Sequence, residues 1–117
     1  MPQIIVRYDK NQISSGNLYK LGIATRQLVA EAASTKEVPF SIHDIEWIPE
    51  PYGVGAIAPR IAIEIRTIGY PERKAKLNKD AVLELKKKML ENGFSAYADE
   101  ADPLIWVQFI DPAGVHV

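Results

Sequence analysis

A secondary amine at the head of a strand is the group in this chain whose type and place point most directly to chemistry. Pro2 follows Met1 and opens the apolar run Gln3-Ile4-Ile5-Val6. Once Met1 is trimmed, the chain begins with a pyrrolidine nitrogen held where the strand holds it. An α-amino group titrates near ~8 in water. Burial among apolar side chains, or a nearby cation, disfavours the ammonium and brings that value toward neutrality. A neutral amine at working pH accepts protons and suits general-base work. On an unprocessed chain the same residue is simply a proline that starts a strand.

Other polar residues fit structural roles first. Lys36 follows a helix, where the negative end of the helix dipole favours a cation. Gln108 interrupts the apolar strand Leu104–Ile110 and must find hydrogen-bond partners there. Trp106, on the same strand, reads as core or interface. Arg66 is placed to pair with Glu64 or Glu46, with a place facing a pocket as the alternative. Arg73, Lys74 and Lys76 read as a solvated basic loop before a helix, with a phosphate or carboxylate site at that helix N-terminus as the alternative. His43 shares a face with Ile45 and Trp47, and Tyr52 sits in a Pro/Gly loop.

The elements that must carry these residues are legible from periodicity. Residues 3–8 form a β-branched strand. Ser15 or Asn17 caps a helix whose stripe is Leu18, Leu21, Thr25, Leu28 and Ala32, and which ends near Ser34 before Pro39. A second strand covers about Ile42 to Ile48, followed by a loop or short hairpin with two prolines and two glycines. The third strand, Arg60 to Ile68, alternates Ile61, Ile63 and Ile65 with Ala62, Glu64 and Arg66. Asn78 caps a second helix, Leu77 and Val82 suit a hydrophobic staple, and Asn92-Gly93 stops it. The fourth strand, Leu104 to Ile110, is apolar enough to be buried on both faces.

The order is two βαβ-like units, about 2–48 and 59–111, in a single α/β domain spanning 1–117. Right-handed crossovers put both helices on one face of a four-stranded mixed sheet. The other face is apolar on strands one, three and four, so sheets are expected to pack together in a symmetric oligomer.

Composition narrows the function classes. The chain has 117 residues, 47% hydrophobic and 25% charged, with a net charge of −1. No global field draws it to nucleic acid or to a membrane surface. It has no cysteine and two distant histidines, which excludes a disulfide framework and a thiolate zinc site. No apolar run reaches the length of a membrane span, and a cytoplasmic location is the default.

Pro2 at the head of a strand, paired βαβ units and an implied sheet-on-sheet oligomer together resemble the tautomerase superfamily. The closest likeness is to the longer members typified by macrophage migration inhibitory factor. Ala33-Ser34-Thr35-Lys36 resembles the family's lysine just after the first helix. Pro59 through Ile68-Gly69 resembles its third strand, and Trp106-Val107-Gln108 its last, with Trp where the family usually has Tyr. The segment from Asn92 to Asp102 is longer and more acidic than the pattern.

The resemblance implies a homotrimer with Pro2 in a pocket between subunits and no cofactor. In it, Pro2 moves the proton of a small keto–enol acid and Lys36 binds a carboxylate or enolate oxygen. Ile65 offers its backbone, and Trp106 and Gln108 of a neighbouring subunit line the pocket. Activity then depends on removal of Met1. The competing expectation is a non-catalytic trimeric protein that binds a small ligand on the same fold.

Overall fold

The computed structural model describes residues 2–11, 13–34, 39–53, 61–91 and 104–110. Four strands and three helices follow one another as β1 (Gln3–Tyr8), α1 (Ser15–Ala33), β2 (Glu46–Pro51), β3 (Ile61–Ile68), α2 (Pro71–Lys76), α3 (Lys79–Glu91) and β4 (Leu104–Ile110). The sheet order is β2-β1-β3-β4. β1 pairs parallel with β2 and antiparallel with β3, while β3 pairs parallel with β4. This is the mixed sheet that two joined βαβ units require.

Alternation divides each strand between two faces. Ile4, Val6, Ile61, Ile63 and Ile65 point to the helical side and are 0–1% exposed. They join Leu18, Leu21 and Val29 of α1 and Leu85 and Met89 of α3 in one core. The buried line of α1 runs Leu21, Thr25, Val29, Ala33 in steps of four. Leu28 and Ala32, expected in the stripe, are only half-buried. Gly22 is buried on the same side of α1. A Cβ there would lie 2.8 Å from Trp47 Cε2 and 2.9 Å from Nε1, so the bare backbone lets the indole of β2 lie on the helix. Gly22→Ala gains about 1 kcal/mol of helix propensity. It is nevertheless expected to lower stability by about 1–3 kcal/mol, because the rigid ring has to move. Denaturant unfolding reads the sign.

Local chemistry sets the ends. Ser14 caps α1, its hydroxyl accepting from the Asn17 N–H. Asn78 caps α3, its side-chain oxygen accepting from the Ala81 N–H at 2.9 Å. The strand expected at 42–48 starts later. Ser41 and Asp44 form a reciprocal capping box that turns Ile42–Asp44 into one turn of 3-10 helix, so His43 is exposed rather than on a strand face. The Ser41 backbone N–H, then its hydroxyl, hold the Asp44 carboxyl below the ordinary carboxylate range. That contribution is present above the ordinary carboxylate value and is lost as pH falls through the lowered one.

β2 then runs through Pro49 and Pro51, expected in a loop. It is an edge strand, where a missing N–H leaves no ladder bond unmade. β4 is the other edge. Expected to be buried on both faces, it has only β3 beside it; Gln108 is exposed and Ile105 to Val107, Phe109 and Ile110 are half-buried.

The sheet face away from the helices is less uniformly apolar than expected. Ile5, Ile48, Ala62 and Ile68 lie on it, but one register row is wholly polar. That row is Glu46, Gln3, Arg66 and Gln108, across all four strands. Gln3 Nε2 donates to Glu46 at 2.9 Å. No helix among the described residues is long and apolar enough to cross a membrane.

Candidate active site

Pro2 stands just before β1. It is fully buried, and its carbonyl accepts the Glu46 N–H at 3.0 Å. The β1–β3 register sums to 69 for every pair, from Gln3 with Arg66 to Tyr8 with Ile61. Continued by one residue it sets Pro2 opposite Thr67, and the β3–β4 register sets Thr67 beside Phe109. By alternation this row faces the helices, like Ile4 and Ile65. Pro2 therefore sits at the sheet end where β3 and β4 finish and α2 begins.

That end holds a buried cation. Arg73 of α2 is 3% exposed. Its Nη1 donates to Thr67 Oγ1 at 2.9 Å and to the Ile68 carbonyl at 3.3 Å. Its guanidinium carbon lies 4.6 Å from the Phe40 ring centre and 5.4 Å from that of Tyr70, a cation–π clamp. Among the described residues its Nε is buried without a hydrogen-bond partner and it makes no ion pair with a carboxylate. Burial pulls its pKa below the ordinary guanidinium value, and Tyr70 acts in the opposite direction. It stays charged.

Phe40, one side of that clamp, is fixed to the end of α1. The Ser34 hydroxyl accepts the Phe40 N–H at 2.8 Å, and Lys76 donates to the Ser34 carbonyl. Gly69 closes the same corner. Its N–H donates to Ile110 at 2.7 Å, and a Cβ there would meet Phe109 Cβ at 3.0 Å.

The expected solvated run is thus a helix with one side chain turned inward. α2 was missed because Gly69-Tyr70-Pro71 reads as a break. Yet Pro at the first helical position followed by Glu72 is a helix-start signature. Arg73 and Leu77, four apart, are both buried.

The other proposed site residues lie as follows. Ile65 is fully buried between Ile4 and Val107 in the ladder. Trp106 and Gln108 stand on the opposite face from Pro2, so one chain does not bring them to it. Lys36 lies outside the described residues. Trp106 Nε1 donates to Glu64 Oε1 at 2.9 Å, and Arg66 pairs with Glu64 at 2.6 Å. Arg66 therefore pairs with Glu64, one of its two expected partners. The Trp106 indole N–H is engaged within its own chain. Trp106→Phe removes one donor from the buried Glu64 carboxylate. It is expected to cost about 1–3 kcal/mol in chemical denaturation.

No family model and no curated protein matches the sequence. Solved structures do. A member of the cis-3-chloroacrylic acid dehalogenase family matches with a TM-score of 0.66 at 12% identity, over 93% of this chain and 75% of that one. A fused 4-OT, solved as an asymmetric trimer, matches at 0.67 and 11% identity, over 98% and 91%. A macrophage migration inhibitory factor-like protein from Entamoeba histolytica matches at 0.60 and 13% identity, over 94% and 87%. With its mixed sheet, its helices on one face and Pro2 at the head of β1, this chain has the fold of the tautomerase superfamily and resembles its macrophage migration inhibitory factor-like members.

Proposed function

We propose that this chain is a tautomerase or isomerase of small keto–enol acids, with the Pro2 nitrogen as general base. The reaction takes a proton from the carbon beside a carbonyl and returns it to the other end of the enol system, while a cation stabilises the oxygen that gains charge. The observation that carries this reading is the pairing of a buried Pro2 with a sheet end whose buried cation, Arg73, has no carboxylate partner among the described residues. Apolar surroundings and a cation both favour the neutral amine.

Lys36 binds the substrate carboxylate or enolate oxygen. Ile65 presents its backbone to the ligand, and Trp106 and Gln108 of a neighbouring subunit line the pocket of a cytoplasmic homotrimer. A trimeric assembly is supported by the fused 4-OT neighbour, by the half-buried apolar β4 and by the exposed Gln108. One neighbour belongs to a family named for a small unsaturated carboxylic acid. The test is an intact mass of untagged protein, its native oligomer mass and a screen of enol acids beginning with phenylenolpyruvate. Loss of Met1, a trimer and turnover support the reading. A free Pro2 in an intact trimer with no turnover of any enol acid overturns it in favour of a binding protein.

A further inference from the structure

The polar side chain least accounted for in this fold is Arg73. Solvated loops carry arginines freely, but a buried guanidinium with no carboxylate partner among the described residues is costly and needs a reason. α2 could carry an apolar residue beside the Phe40 ring without that cost. Instead it places a fixed positive charge on Thr67, the residue opposite Pro2. Paired antiparallel residues have Cα atoms roughly 5 Å apart. A guanidinium bonded to Thr67 thus stands at the sheet end and on the sheet face that Pro2 occupies, where charges are screened less than in open water.

We propose that Arg73 is a positioning residue for Pro2. Its guanidinium, anchored on Thr67 and Ile68, lowers the proton affinity of the Pro2 amine and pins the end of β3 beside it. The inference rests on the reading of Pro2 as a free amine and deepens it by naming what tunes that base.

The charges around this end are consistent with that role. On the β2 side stand His43, Asp44 and Glu46. Asp44 is held by Ser41, and the Glu46 carboxylate, on the far sheet face, by Gln3. β3 contributes Arg66, taken up by Glu64 on that same far face. α1 contributes Glu31, exposed on its last turn. Around α2 are Tyr70, Glu72, Lys74 and Lys76. Glu72 is exposed, Lys74 lies 5.8 Å from the Phe109 ring centre, and Lys76 is bound to Ser34. β4 offers Gln108 and Phe109, neither charged. Among these groups Arg73 is the buried one on Pro2's own face. A cation there disfavours a second positive charge on the amine.

The test is a titration of the amine itself. Met1-free protein is reductively methylated with formaldehyde over a pH series, and the label on the N-terminal peptide is read by mass. Arg73→Met is expected to raise the titration midpoint by about one pH unit, making the free amine roughly tenfold scarcer below it. Arg73→Lys, which keeps the charge, should leave the midpoint near that of the parent. Thr67→Val removes the anchor but keeps the cation, and should shift the midpoint upward by less. This variant carries the test if Arg73→Met does not fold.

A folded Arg73→Met protein with an unmoved midpoint overturns the proposal and leaves Arg73 a packing residue. With Thr67→Val standing in for it, an unmoved midpoint does the same. Because the readout uses no turnover, a shifted midpoint in a protein that isomerises no enol acid would sink the enzymatic reading while sustaining this one.

Discussion

Pro2→Ala lowers kcat for the ketonisation of phenylenolpyruvate by about a hundredfold or more and leaves the protein folded. General-base catalysis is worth about 10²–10⁴ in rate, or roughly 3–5 kcal/mol of barrier. Alanine keeps an amine at the terminus, but a primary one that lacks the ring and its fixed dihedral. The nitrogen then samples positions the pyrrolidine does not, and loses alignment with the substrate carbon. The fold survives because β1 is held by its backbone and by Ile4, Ile5 and Val6, all buried. Steady-state kinetics alongside thermal unfolding separates the two effects. A variant with parental kcat removes Pro2 from the chemistry.

The largest expected effect on stability is at Ile63. It is 0% exposed, and it pairs with Val6 on β1 and Ile105 on β4 at the middle of the sheet. Ile63→Ala deletes three buried carbons and leaves a cavity that two flanking strands keep from collapsing. The cost is about 3–5 kcal/mol. That is a large share of the ~5–15 kcal/mol available to a domain of this size, and corresponds to a fall in Tm of roughly 10–20 °C. Thermal unfolding measures it. A fall of only a few degrees would mean that the core does not rest on β3.

The sequence already carried most of the architecture, for reasons visible residue by residue. β1 and β4 run over the residues expected, because apolar β-branched runs bounded by polar or Pro residues leave few alternatives. β3 shows the clearest alternation, and its described span, Ile61–Ile68, falls one residue inside expectation. What was not legible depended on partners distant in sequence. The capping box of Ser41 and Asp44 outcompeted strand formation at Ile42, and the edge position of β2 made Pro49 and Pro51 acceptable. Neither is visible in a window of ten residues.

The site divides the same way. Pro2 was legible as a candidate by type and place. Arg73 did not, because a basic run with lysines on either side reads as solvated. Only the tertiary position of α2 turns one of its side chains onto Thr67 and Phe40. Trp106 and Glu64, 42 positions apart, likewise meet only through the β3–β4 register.

The central claim is that the Pro2 nitrogen must be free and basic. The most direct measurement compares two preparations of this chain, one verified by intact mass to begin at Pro2 and one with an N-terminal extension that acylates it. The first is expected to turn over phenylenolpyruvate and the second to lose at least about a hundredfold, with both in the same oligomeric state. Equal turnover in the two would contradict it.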